Sequence, residues 1–164
     1  MALVKNEHRE FVGLDALKAK QALQLSLFEE WAEKKDWRQF HESHYDWWMF
    51  PYSKPSRLGF AYVVYESEIH DLKLDPVFIQ NYLRGAELLL LSWGWNLQKE
   101  SLITHPGIYQ EWQHWPIRLY KCACSLQEFG FMTVFNSIRK YGVFLLKQGN
   151  SFEYNGRDLS QIFI

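Results

Sequence analysis

Four side chains have types and spacings that suit metal or acid–base chemistry. Glu66 and His70 stand four residues apart, so one helix face would present both to a single ion. His41 falls between Trp37 and Tyr45, and His44 between Phe40 and Trp48, all at four-residue steps. A histidine among rings can ligate a metal or act as a base, and its pKa responds to burial. The plainer alternatives are a core histidine bonded to one backbone carbonyl, and a solvated Glu–His pair. No complete ligand motif such as H-E-x-x-H is present, so neither a metal nor a cofactor is expected. G-x-S-x-G, P-loop and dinucleotide fingerprints are also missing, and no catalytic residue is assigned. Cys122 and Cys124 are separated by one residue and would point roughly 200° apart on a helix, which favours reduced thiols as small apolar filler.

Two arginines and a set of rings suggest binding instead. Arg84 adjoins Gly85 near an apolar seam, and Arg118 is flanked by Ile117 and Leu119. A guanidinium near a core needs a carboxylate, helix C-terminal carbonyls or a bound anion. Asp46, Glu66, Glu68 and Glu87 are the internal candidates. Such a group either clips two helices together or anchors a small anion or peptide carboxylate. Trp47, Trp48, Trp93, Trp95, Trp112 and Trp115 form the tryptophan set, most of it core. If Trp95, Trp112, Trp115 and Tyr109 are exposed together, they make a patch for a protein partner or flat ligand. The candidate binding residues are therefore Tyr45, Trp48, Arg84, Trp93, Trp95, Trp112, Trp115 and Arg118.

The elements that must position these groups are helical. Phe78, Tyr82, Ala86, Leu89, Leu90 and Trp93 recur at helical steps, predicting a central helix from Pro76 to Trp93. Asp75 is its N-cap, Pro76 suits its first turn, and Gly94 suits the left-handed stop. Before it, the spacing predicts helices over Leu14–Lys35, with a wide apolar face, over Trp37–Phe50, and over Glu66–Leu74. Pro51 closes the second of these. Phe60–Tyr65 is strand-like in composition but has no obvious partner, so it is read as extended loop. After the central helix come a loop over Leu97–Tyr109, a helical turn over Tyr109–Trp115, and helices over Pro116–Phe129 and Phe131–Gln148. Residues 1–12 are expected to be frayed or loosely docked. Residues 150–164 carry an Asn155-Gly156 turn and enough apolar side chains to pack on the bundle or on a second copy. The expected fold class is all-α: a single domain built as a compact bundle of about five main helices with a docked C-terminal tail.

Composition narrows the function classes. Hydrophobic residues make up 48% of the 164-residue chain and aromatic residues 18%, enough to fill one core. A net charge of -1 argues against general nucleic-acid binding, which needs a basic excess to release counterions. No apolar run is long enough to span a bilayer, and the first residues lack a signal-peptide layout, so a cytoplasmic location is expected.

Three blocks resemble a known family. Tyr45-Asp46-Trp47-Trp48-Met49-Phe50-Pro51 is similar to the aromatic-to-proline signature of the opioid growth factor receptor conserved domain. Glu68-Ile69, Tyr82, Arg84 and Gly94 resemble its next block, and Ile117-Arg118, Ser125-Leu126 and Phe129-Gly130-Phe131 its last. The resemblance spans about residues 41–146 in order. The chain has its own loop over Pro51–Tyr65, and its sequence shows neither the long repetitive tail nor the basic clusters of the eukaryotic receptor. The resemblance implies a compact, all-helical binding domain of bacterial type, with no catalytic residues to carry over. The leading expectation is a non-enzymatic interaction or ligand-binding domain with a protein or peptide partner. The rivals are a metal- or cofactor-dependent enzyme using His41, His44, Glu66 and His70, and a structural subunit that forms oligomers through its tail.

Overall fold

A computed structural model describes residues 2–113 and 115–164. Helices dominate, in the order α1 (Leu14–Glu33), α2 (Trp37–Glu42), α3 (Asp46–Met49), α4 (Glu66–Lys73), α5 (Pro76–Ser92), α6 (Pro116–Phe129) and α7 (Met132–Lys147). Two short antiparallel pairs accompany them: β1 (Trp95–Asn96) with β2 (Ser101–Leu102), and β3 (Glu153–Tyr154) with β4 (Arg157–Asp158). A 3-10 turn, Ser160–Phe163, ends the chain. No described helix is long and apolar enough to cross a membrane.

The central helix starts as its sequence dictates. The Asp75 carboxylate accepts from Val77 N at 3.0 Å and Phe78 N at 3.2 Å, and Lys18 pairs with it at 2.9 Å. Gly94 stops the helix in the left-handed region at φ 82°. α5 packs along α1 and buries Phe78, Tyr82, Ala86 and Leu88–Leu90. α3 packs tightly at Gly85, where a Cβ would overlap the Met49 methyl.

The helix expected over Trp37–Phe50 is broken. Ser43 is extended, at φ -93° and ψ 160°, and α3 restarts at Asp46. The cause is Arg118, which takes the carbonyls of Phe40, His41 and Ser43 at 2.8, 2.9 and 2.6 Å. Those carbonyls would otherwise accept from the next helical turn.

The wide apolar face expected of α1 is also corrected. Leu17 and Phe28 are buried, but Leu23 is 64% exposed and Leu27 is exposed too. Gln21 and Gln24 are buried instead: Gln21 donates to Phe78 O at 3.1 Å, and Gln24 accepts from Trp48 Nε1 at 3.1 Å.

The N-terminal segment is pinned rather than frayed over its described residues. Asn6 N donates to Glu68, whose carboxylate also accepts from Tyr65 N and so caps α4. The Asn6 side chain donates to the carbonyls of Phe60 and Val63, holding a segment that turns over 60–62, where Val63 N donates to Phe60 O, rather than running extended from 60. Met1 lies outside the described residues. The turn expected over 109–115 is not helical where it is described, and Tyr109 has φ 63°; His114 lies outside the described residues.

The tail docks on its own bundle. Phe152, Leu159 and Phe163 are buried, each contributing roughly 1.5–3 kcal/mol of apolar burial. Phe163 lies against Gly142 of α7, where a Cβ would overlap its ring. The β3–β4 turn, Asn155-Gly156, has positive φ at both positions, as such a hairpin requires. This docking carries Tyr154 and Arg157 to the mouth of a cleft beside α6.

Candidate functional site

The break between α2 and α3 opens one wall of a cleft of about 520 Å³. Its other walls are the loop after α3, the start of α6 and the β3–β4 hairpin. Arg118 and Lys121 form its floor, three residues apart on α6 and only 3% and 2% exposed. Arg57, in the loop after α3, and Arg157, in β4 of the hairpin, reach the mouth, and both are exposed. Asp46 is the single carboxylate in the lining, against these four cations.

Arg118 acts first as a cap. Its Nη1 donates to the Phe40 and His41 carbonyls and its Nη2 to that of Ser43. A guanidinium carries five N–H donors. Nε–H donates to no acceptor among the described residues, and Nη2 carries one N–H beyond the one on Ser43. Donors of this kind suit a carboxylate or phosphate. The guanidinium carbon lies 5.1 Å from the Tyr45 ring centre and 5.6 Å from that of Trp115.

Lys121 pairs with Asp46, Nζ to Oδ2 at 2.7 Å. Its ammonium lies 5.2 Å from the Trp47 ring centre and 5.5 Å from that of Tyr52. Burial pushes the Lys121 pKa down, and the Asp46 carboxylate opposes that shift. Burial likewise raises the Tyr52 hydroxyl. On the outer face of α6, burial pushes the Cys124 thiol up to about 11. Cys122 is fully buried, and that burial also raises its thiol well above the ordinary value; neither cysteine is in a disulfide.

The residues expected to bind are not all in one place. Arg118 and Trp115 line the cleft. Tyr45 is fully buried beneath Arg118, its hydroxyl donating to Phe40 O at 2.6 Å. Trp48 lies against Tyr62 and Lys20 beside α1. Trp93 and Trp95 are core, with Trp95 Nε1 on Ser137 Oγ at 3.2 Å. Trp112 packs between Trp93 and Phe152. The aromatic patch of Trp95, Trp112, Trp115 and Tyr109 therefore does not form, because the first two rings fill the core between α7 and the tail. Arg84 is half-exposed and pairs with Glu29 at 2.8 Å and with Glu87, so it clips α5 to α1 rather than anchoring a ligand.

The four metal candidates also part company. His41 is buried with Nε2 2.7 Å from Tyr109 O, and burial lowers its pKa. His44 is exposed at the cleft edge, while Glu66 and His70 lie exposed on α4. No group of three metal-ligating side chains forms among the described residues.

Sequence reasoning missed Trp47, Arg57, Lys121, Tyr154 and Arg157 as one site. The available signal was Arg118 and Lys121 three residues apart on a helix otherwise apolar on that side. Asp46 was in view only as an arginine partner. No family model, characterised protein or solved structure matches the chain.

Proposed function

We propose that this chain is a non-enzymatic, all-helical binding domain whose cleft beside α6 recognises an anionic ligand or the acidic group of a partner. One observation carries the reading: two nearly buried cations, Arg118 and Lys121, share the floor of a cleft that supplies one carboxylate. A desolvated floor of this kind strengthens attraction to an anion, and Arg57 and Arg157 extend the positive field to the mouth. The resemblance of residues 41–146 to the opioid growth factor receptor conserved domain agrees with a binding role. Free thiols at Cys122 and Cys124 agree with a reducing, cytoplasmic setting.

The test is calorimetric titration with phosphate, sulfate, citrate and an acidic peptide, on the wild type and on Arg57→Glu/Arg157→Glu. At least one anion binds the wild type, more weakly as salt rises, and the double variant loses tenfold or more. Failure of every anion to bind at low salt contradicts the proposal.

A further inference from the structure

The chemistry of the cleft narrows its ligand further; this step rests on the anion reading above. The lining holds four cations and one carboxylate, and that carboxylate is already paired with Lys121. A single carboxylate ligand brings one negative charge. A phosphate monoester brings about 1.5 to 2 and three acceptor oxygens. Arg118 keeps N–H donors beyond those on the Phe40, His41 and Ser43 carbonyls, and Lys121 has N–H bonds beyond the one facing Asp46; both suit phosphate oxygens.

Volume and rings select what carries the phosphate. A cleft of about 520 Å³ lies within the usual range for small ligands, roughly 300–1,000 Å³. Trp115 stands at the mouth 42% exposed, with the Arg118 guanidinium 5.6 Å from its ring centre. Ile117 and Leu159 add an apolar wall. An exposed indole beside a cationic floor suits a flat ring joined to a phosphate. We infer that the cleft takes a nucleoside mono- or diphosphate, with its phosphate on Arg118 and Lys121 and its ring on Trp115.

Isothermal titration at low salt with ADP, ribose 5-phosphate, inorganic phosphate, succinate and a phosphotyrosine peptide tests this. ADP is expected to bind at least tenfold tighter than ribose 5-phosphate. Trp115→Ala removes that advantage, lowering ADP affinity by more than it lowers inorganic phosphate affinity. Arg57→Ala/Arg157→Ala weakens ADP and phosphate alike by tenfold or more, and Lys147→Ala, outside the cleft, changes neither. These variants lie at the surface, so the capping role of Arg118 stays intact. Succinate binding as tightly as ADP, or a ring that adds nothing, overturns the ligand class and leaves the anion reading standing. A phosphotyrosine peptide binding tenfold tighter than ADP overturns the small-molecule assignment. ADP affinity unchanged in the double variant places the site elsewhere. No binding of any anion removes both proposals.

Discussion

Replacing Lys121 by methionine removes one half of a buried ion pair while keeping most of the side-chain volume. Asp46 Oδ2 lies 2.7 Å from Lys121 Nζ, and both residues are nearly inaccessible. The variant leaves a carboxylate in a wall of aromatic rings with no cation on it, which costs about 3–5 kcal/mol. That is a large share of a domain stability of about 5–15 kcal/mol. Removing both charges, as Lys121→Met/Asp46→Leu, costs far less, within about 2 kcal/mol of wild type, because desolvation of the pair is relieved as well. Urea unfolding followed by tryptophan fluorescence supplies the four corners of the double-mutant cycle. A Lys121→Met cost below about 1 kcal/mol, with single effects that simply add, would refute a buried, paired Lys121.

Three further outcomes follow from the packing and the titrating groups. Gly142→Ala gains up to about 1 kcal/mol in helix propensity but overlaps the Phe163 ring, so a net loss of about 1–3 kcal/mol is expected in denaturant melts; a gain would mean the tail does not seat there. Arg84→Ala costs under about 1 kcal/mol, since its pairs with Glu29 and Glu87 are half-exposed, and the same melts would expose a larger role. Burial holds the His41 pKa below its ordinary value, so the unfolded chain protonates first, at about 6.5. Its contribution is therefore complete above about 6.5 and is lost as pH falls toward the folded pKa. The urea midpoint should drop more for wild type than for His41→Gln between about pH 7.5 and 5.5, and parallel drops would contradict this.

Where local rules govern, the sequence was readable. Asp75-Pro76 capped the central helix as expected, Gly130 ended α6 in the left-handed region, and Asn155-Gly156 formed its turn. Each signal acts through neighbouring residues. The misreadings share a different cause. α2 stops because Arg118, more than seventy residues later in the chain, takes its last carbonyls. Gln21 and Gln24 go inside, each with one hydrogen bond, to Phe78 O and from Trp48 Nε1, and those partners lie on other elements. The cleft was legible only in part for the same reason. Arg118 stood out by its apolar flanks, whereas Arg57 and Arg157 join it only once the loop after α3 and the tail have docked.

An anion bound in the cleft is expected to reach Arg118 Nε–H, which has no acceptor among the described residues. The direct measurement is a titration of 15N-labelled protein with ADP, following the Arg118 Nε–H resonance and the backbone amides of residues 56–57, 117–121 and 154–157. Saturable shifts of Arg118 Nε–H together with those three segments are predicted. Shifts confined to other parts of the surface, such as residues 139–147, or an Arg118 Nε–H signal unmoved while ADP binds, would contradict it.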